Sequence, residues 1–111
     1  MSVHFAATEG RYRSQNIDWP PKVEDADQDW LNVGRYTLSY SGPFRLNQST
    51  LSSEQEGQII HGPIMVASVP KFVGSMQTRN FKVHDRHDGT YLYLWLHSNT
   101  VKVEMWWKKL T

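Results

Sequence analysis

From residue 35 onward, apolar and polar residues alternate in short runs separated by turn residues. Alternation with a period of two over about four to eight residues is typical of strands. The pattern predicts strands over residues 35–40 (continuing at 44–46), 58–69, 75–83, 90–97 and 100–110. The dipeptide Asp88-Gly89 predicts a tight hairpin turn between two of them. We therefore expect residues 35–110 to form an antiparallel meander that closes into a barrel or curls strongly.

Two glycine–proline pairs interrupt these strands. Ser41-Gly42-Pro43 follows the first strand, and Gly62-Pro63 lies within the run 58–69. Proline has no N–H to donate to a ladder of hydrogen bonds, so in sheets it occurs at edges and bulges. We expect a bend at the first pair and a bulge or kink at the second.

Residues 1–34 show a different pattern. Residues 1–7 alternate weakly and predict a strand, whereas residues 8–22 contain glycine and a Pro-Pro pair and predict an irregular loop. A short helix is predicted over residues 25–31, because acidic side chains at its start complement the helix dipole, and Gly34 is expected to close it. All 111 residues are expected to form one domain of all-β class with one short helix.

The strand predicted over residues 90–97 has bulky side chains on both faces. One face carries Leu92, Leu94 and Leu96, and the other carries Tyr91, Tyr93, Trp95 and His97. A sheet with one solvated face would place polar residues on that face. We expect either a barrel with an aromatic lumen or a sheet whose outer face is covered by a partner.

The composition narrows the class of protein. Five Trp, five Tyr and four Phe favour strands and a concave apolar site. The formal net charge is only +1, which argues against a surface for nucleic acid or for an anionic membrane. The absence of cysteine excludes disulfides, thiolate metal sites and a cysteine nucleophile.

No motif for a nucleotide, zinc or calcium is present, so we expect no cofactor and no metal. No run of about 18 apolar residues is present, so we expect no membrane-spanning segment. The first residues show no secretory signal, and a cytoplasmic location is therefore expected.

Several short motifs follow one another with a characteristic spacing. They are Tyr40-Ser41-Gly42-Pro43-Phe44, Gly57-x-Ile59-x-His61, Pro70-x-x-Val73-Gly74-x-x-Gln77-x-Arg79, Asp88-Gly89-x-x-Leu92-x-Leu94 and Trp106. Together they resemble the lipocalin-like domain family of short bacterial and fungal proteins, some of which belong to natural-product biosynthetic clusters. The resemblance implies a calycin-type antiparallel barrel that binds a hydrophobic small molecule.

The resemblance also implies that the first strands of the domain are missing. Members of the family begin with a Gly-x-Trp strand and a further stretch that this sequence does not show. A barrel without its first strands has open edges, which a second copy, a partner chain or the chain's own N-terminal segment is able to cover; a second copy is the commonest way. We therefore expect a homodimer, with no nucleic-acid or membrane partner.

Two polar residues on the predicted strands are candidates for chemistry. In a lumen, His61 is able to act as a general acid or base; alternatively, it bonds a backbone carbonyl exposed by the Gly62-Pro63 kink. Arg79 shares a face with Phe81, where a buried charge needs a partner, and Glu104 is the candidate. This pair would set the strand register; alternatively, Arg79 binds a carbonyl, enolate or carboxylate of a ligand.

Aromatic and apolar residues are candidate walls of a cavity, with core packing as the alternative for each. The ligand-binding set is Tyr36, Met65, Phe81, Tyr93, Trp95 and Trp106. Tyr40 adds a hydroxyl that is able to orient a polar group of a substrate. The run 84–88 contains two His and two Asp, but a charged hairpin turn explains it better than a metal site.

These observations support two main functions. The first is a cofactor-free cyclase or isomerase acting on an apolar biosynthetic (secondary-metabolite) intermediate, by orientation and by stabilising charge on an oxygen. Its candidate catalytic residues are His61, Arg79, Tyr40 and Glu104. The alternative is a non-catalytic carrier of a hydrophobic small molecule. A third interpretation is an interaction protein whose open edges bind another chain.

Overall fold

Strands account for most of the regular structure of the chain. The computed structural model describes residues 1–110. The elements are β1 (Ser2–Ala6), α1 (Asp27–Tyr36), β2 (Thr37–Ser41), β3 (Phe44–Leu46), β4 (Glu56–His61), β5 (Val66–Ala67), β6 (Gln77–Arg86), β7 (Gly89–His97) and β8 (Lys102–Lys108). Single turns of 3₁₀ helix lie at Gly10–Tyr12, Gln48–Thr50 and Pro70–Phe72. The prediction of an all-β fold with one short helix is confirmed.

The strands form two antiparallel sheets. The smaller sheet has the order β1-β2-β5, and the larger has the order β3-β4-β6-β7-β8. In the larger sheet β6, β7 and β8 form a meander, and Arg86 pairs with Gly89 across the hairpin turn that the Asp-Gly dipeptide predicts. Within residues 1–110 the sheets do not close into a barrel, so the antiparallel meander is the form of the prediction that is confirmed.

The chain passes between the two sheets at two glycine–proline corners. Gly42-Pro43 joins β2 to β3, and Gly62-Pro63 follows β4 on the way to β5. The corners contact each other, because the N–H of Gly62 donates to the carbonyl of Pro43 at 2.7 Å. A Cβ on Gly42 would lie 2.8 Å from the carbonyl oxygen of Pro63, so a side chain does not fit there. The interruptions predicted at these two pairs are confirmed, and each is a change of sheet.

The hydrophobic core lies between the inner faces of the two sheets. Its buried side chains are Val3, Tyr40, Ile59, Ile64, Phe81, Leu94 and Met105. In the larger sheet Phe81, Leu94 and Met105 are direct cross-strand partners on β6, β7 and β8. Burying a side chain of this size stabilises the fold by about 1.5–3 kcal/mol. Because Leu94 points inward, its neighbours on β7 point to the outer face.

The end of the helix and one of the strands differ from the prediction. α1 continues to Tyr36, with Gly34 inside it, because the chain leaves the helix only where Thr37 pairs with β1. The run 58–69 is not one strand but two, β4 and β5, which lie in different sheets on either side of the second corner. Among residues 1–110 no helix is long and apolar enough to cross a membrane.

Candidate functional site

A cleft of about 530 Å³ opens between the two sheets. Its walls come from β1, β2, the end of α1, the turn 70–72, β6 and β8. Its apolar and aromatic lining includes Phe5, Tyr36, Leu38, Tyr40, Phe72 and Val103. Clefts of roughly 300–1,000 Å³ with mostly apolar walls and a few polar groups are typical of small-molecule sites.

Tyr40 brings a hydroxyl to this cleft on a rigidly held ring. Its backbone pairs with Val3 of β1, and its ring stacks on Phe72 with the centroids 5.7 Å apart. The residue is only 4% exposed, yet its hydroxyl forms no hydrogen bond with any other residue in the range 1–110. Burial raises the pKa of Tyr40, against the opposing charge of Arg79. The hydroxyl therefore keeps its proton at neutral pH and is able to donate it to a ligand.

Arg79 lines the same cleft from β6. Its guanidinium donates to the carbonyl of Thr78 at 2.7 Å and to Oε1 of Gln77 at 3.4 Å. Its Nε is buried without a hydrogen-bond partner, and the side chain forms no ion pair within residues 1–110. The guanidinium has five N–H groups, so several remain for a ligand.

Glu104 does not pair with Arg79, and that prediction is wrong. Glu104 lies opposite Trp95 on the outer face of the larger sheet, whereas Arg79 is on the inner face. The Glu104 carboxylate lies 3.0 Å from Nε2 of His97 and 3.1 Å from Nζ of Lys102. The hydrogen bond from Lys102 is the main cause that holds the pKa of Glu104 below its ordinary value. Glu104 still reaches the mouth of the cleft, at the open edge of β8.

His61 is buried beside Tyr40 but does not line the cleft. Its Nε2 lies 3.0 Å from the carbonyl oxygen of Met1 and 3.1 Å from that of Gly42. Since both neighbours are acceptors, Nε2 carries the proton, and the buried Nδ1 has no partner. Burial lowers the pKa of His61, so the ring is neutral at neutral pH. The alternative to a catalytic role, a hydrogen bond from His61 to a backbone carbonyl, is thus present. The carbonyl at the corners that accepts it belongs to Gly42 and not to the Gly62-Pro63 pair.

Cationic side chains outnumber acidic ones around the cleft. Arg35 at the end of α1 and Lys102 on β8 join Arg79 in the lining, and Glu104 is the acidic residue there. Because Glu104 already contacts Lys102, the net field at the mouth is positive. This field favours a ligand with an anionic or electron-rich oxygen.

The structure separates the predicted ligand-binding set into four places. Tyr36 lines the cleft, although it ends α1 rather than beginning a strand. Phe81 is 4% exposed and belongs to the core, and Met65 is 72% exposed on the segment before β5. The remaining three, Tyr93, Trp95 and Trp106, lie on the outer face of the larger sheet. Strand alternation places them there, because the leucines between them point inward.

Several cleft residues did not emerge from the sequence. Leu38 alternates with Tyr36 and Tyr40 along the chain, so a signal for it was present. Phe72 lies in a single turn of 3₁₀ helix and Arg35 in the last turn of α1, where strand periodicity says nothing. Their positions depend on how the turn and the helix pack against β2.

The two aspartates of the hairpin between β6 and β7 form local hydrogen bonds. Asp85 accepts a hydrogen bond from the Thr90 hydroxyl at 2.7 Å, and Asp88 accepts one from the Tyr91 hydroxyl at 2.6 Å. Within the described residues 1–110, no group of three or more His, Asp or Glu side chains is placed to hold a metal ion.

An antiparallel β fold with an apolar cleft between its sheets is suited to binding a small hydrophobic molecule. Residues 1–110 match the lipocalin-like domain family. Since this match spans almost the whole chain, the protein belongs to the lipocalin-like domain family. No curated protein and no solved structure matches the chain significantly.

Proposed function

We propose that the cleft binds an apolar small molecule that carries a carbonyl, enol or carboxylate oxygen. The observation that carries this proposal is the presence of two polar side chains in the lining of an apolar cleft: Tyr40, whose hydroxyl has no hydrogen-bond partner within residues 1–110, and Arg79, whose guanidinium forms no ion pair there. A donor left without an acceptor costs about 1–3 kcal/mol when it is buried, so a ligand oxygen that accepts a hydrogen bond from either side chain gains from the contact. The hydrocarbon part of the ligand then contacts apolar walls such as Leu38 and Val103.

Binding of 8-anilinonaphthalene-1-sulfonate, an apolar anion, tests this proposal. We expect saturable enhancement of its fluorescence by the wild-type protein. Leu38→Trp fills the cleft and should weaken binding by roughly tenfold or more, which corresponds to about 1.4 kcal/mol. Leu110→Trp is the matched control, because Leu110 is 86% exposed and does not line the cleft. Equal affinities of the wild type and the Leu38→Trp protein would count against the cleft as the binding site.

Catalysis is the second candidate function, as a cofactor-free cyclase or isomerase of an apolar biosynthetic intermediate. The observation that favours it is the presence of two donors, the hydroxyl of Tyr40 and the guanidinium of Arg79, in the lining of one cleft. Donors of this kind stabilise negative charge that develops on oxygen. In an isomerisation, a proton leaves the carbon next to a carbonyl, and the carboxylate that the lining offers as its acceptor is Glu104, at the mouth of the cleft. Arg79 and Tyr40 then hold the enolate oxygen, and the proton returns to another carbon. In a cyclisation, the walls hold the substrate in its folded form.

We propose a positioning role for His61 in this site. Its N–H is engaged by the carbonyls of Met1 and Gly42, and its ring centroid lies 5.2 Å from that of Tyr40. It therefore supports the ring of Tyr40 from the core side.

Arg79→Gln distinguishes the enzyme from the carrier. For an enzyme, loss of the cation should lower kcat by about 10²–10³, whereas the affinity for an uncharged apolar probe should change little. The measurement is the rate of product formation from carbonyl-bearing apolar intermediates, with circular dichroism to verify folding. A wild-type rate equal to that in buffer would eliminate the catalytic proposal and leave the carrier.

We also propose that the chain functions as a homodimer. Each sheet has two edge strands, and unpaired edges together with exposed aromatic side chains are features of surfaces that associate. The monomer already contains the complete lining of the cleft described above, so ligand binding and association are separable properties.

A further inference from the structure

The outer face of the larger sheet carries a continuous stack of aromatic rings. The ring centroid of Tyr93 lies 4.9 Å from that of Trp95 and 4.4 Å from that of Trp106, and the planes are within 14° and 21° of parallel. Trp106 is 48% exposed. A large, rigid apolar group that is exposed in this way indicates a surface with a partner.

Arg86 extends this aromatic stack toward the hairpin. Its guanidinium lies 5.0 Å from the ring centroid of Tyr91 and 5.2 Å from that of Trp106. Trp, Tyr and Arg are the residues most enriched where protein interfaces gain their affinity. The ring of Tyr93 is stacked between two others, so its faces are not available to a nucleobase or a sugar ring. The stack is therefore better suited to a protein partner than to either of these ligands.

Ion pairs frame the aromatic stack. They are Lys82–Glu56 (3.5 Å), Lys102–Glu104 (3.1 Å) and Lys108–Asp88 (3.6 Å). A rim with both signs of charge around an apolar centre is able to complement a second copy of itself, because a twofold axis makes every contact between an acidic and a basic residue occur twice. A uniformly acidic or basic partner would meet one repelling sign at this rim. The charges thus favour a second copy of the same chain.

The size of the face is appropriate for a reversible dimer. The five strands are spaced about 4.8 Å apart, and the ten residues of β6 rise about 3.3 Å each, so the face extends roughly 24 Å by 33 Å. Because the other strands are shorter, the contact is on the order of 600 Å² per copy, slightly below the ~800 Å² of a standard stable interface.

Three of the four open sheet edges, all except β1, have features that make them weaker sites for association. β3 has three residues and β5 has two, which offers few hydrogen bonds to a pairing strand. β8 carries exposed lysines at Lys102 and Lys108, a feature that opposes edge-to-edge pairing.

We propose that two copies associate through the outer faces of their larger sheets, with Tyr93, Trp95 and Trp106 at the centre of a twofold interface. This inference rests on the homodimer proposed above and specifies its interface. Most of the cleft lies on the inner side of the same sheet, and the ion pair Lys102–Glu104 at its mouth also belongs to the rim of this interface.

Sedimentation equilibrium of the full chain over a wide concentration range tests this interface. We expect a reversible dimer for the wild type. Trp106→Glu should raise the dissociation constant roughly thirtyfold or more, because it removes a central ring and places an unpaired charge there. Trp19→Glu is the matched control: Trp19 is 83% exposed and lies outside both sheets, so the same substitution should leave the dimer unchanged.

A charge-reversal pair provides a second test that does not alter the aromatic stack. Lys82→Glu makes one ion pair entirely acidic, and Glu56→Lys makes the same pair entirely basic. Each variant alone should dimerise about tenfold more weakly at low salt, and an equimolar mixture should recover the wild-type affinity as a heterodimer.

The outcomes separate the two proposals. A wild-type monomer at every concentration would overturn both the homodimer and its interface. A wild-type dimer that Trp106→Glu leaves intact, or a charge-reversal mixture that forms no heterodimer, would overturn the interface alone and direct attention to the sheet edges.

Discussion

Tyr40, His61 and Arg79 show how neighbouring groups decide what a polar side chain does. Tyr40 and His61 are both buried and in ring contact. The histidine N–H is engaged by two carbonyls, whereas the tyrosine hydroxyl has no partner within residues 1–110 and lines the cleft. Arg79 shares that cleft and has a free Nε. At the residue scale, therefore, Tyr40 and Arg79 are the polar side chains that we propose for contact with a ligand, and His61 lies behind Tyr40 with its N–H already engaged.

The buried His61 should make stability depend on pH near neutrality. Its pKa in the folded protein is below the ordinary value of about 6.5, so the unfolded chain binds more protons between those two values. Stability is therefore fully present above pH ~6.5 and falls as the pH decreases toward the folded pKa, by at most about 1.4 kcal/mol per pH unit. Urea unfolding at a series of pH values measures this.

His61→Gln retains an N–H donor near the Nε2 position but does not titrate, so it is the matched control. We expect its stability to be flat across the same window, apart from contributions of other groups. The lowered pKa values of Asp88 and Glu104 act only at more acidic pH. An identical pH dependence of the two proteins above pH 5 would show that His61 is not the responsible group.

At the scale of elements, the two glycine–proline corners determine how the chain is divided between the sheets. Each corner ends a strand of one sheet and directs the chain to the other. The first, Gly42-Pro43, packs so closely on the second that a single methyl group does not fit. The corners also place Tyr40 of the smaller sheet next to His61 of the larger one. Local backbone geometry thus sets one wall of the cleft.

Gly42→Ala should destabilise the protein. The new Cβ would lie 2.8 Å from a backbone carbonyl oxygen and 3.1 Å from the Cα of Ile64, so the corner has to move. We expect a loss of about 1–3 kcal/mol in the free energy of unfolding, measured by chemical denaturation. A variant as stable as the wild type would mean that the corner accommodates a methyl group without strain.

Gly34→Ala should have the opposite effect. Gly34 lies inside α1, and a Cβ there meets no atom within 4 Å. Alanine restricts the unfolded chain and favours the helix, so we expect a gain of about 0.5–1 kcal/mol in the same denaturation experiment. A loss of stability would indicate that the outer surface of α1 contacts a partner in solution.

At the scale of the whole molecule, the cleft is formed by both sheets together. One wall is formed by β1 and β2, and the other is formed by β6 and β8. A ligand in the cleft therefore contacts both sheets at once. Ligand binding therefore increases the free energy of unfolding, because the two sheets cannot separate until the ligand is released.

Decanoate, an apolar carboxylate, should raise the melting temperature of the protein. At a concentration of about 100 times its Kd, it adds about 2.7 kcal/mol to the unfolding free energy, which corresponds to a shift on the order of 10 °C. Decanol at the same concentration should have a smaller effect, because it has no charge to pair with Arg79. This difference should disappear in Arg79→Gln, and a difference that persists there would assign charge recognition to another cation.

The period-two alternation determined most of the strands. It also showed that Leu94 and Tyr93 lie on opposite faces of their strand. The sequence also indicated both corners and the family. It could not determine which face of β7 is inside, because both faces are bulky and alternation only separates them. That choice follows from the core, where Leu94 packs between Phe81 and Met105.

Only the tertiary structure decided the membership of the cleft. Tyr40, Phe72 and Arg79 are far apart along the chain, and no local pattern connects them. The tertiary structure also showed that Glu104 pairs with Lys102 and not with Arg79. Arg79 on β6 and Glu104 on β8 lie on opposite faces of the larger sheet. The physical reason is that alternation is a local property of a strand, whereas a cleft forms where distant strands pack.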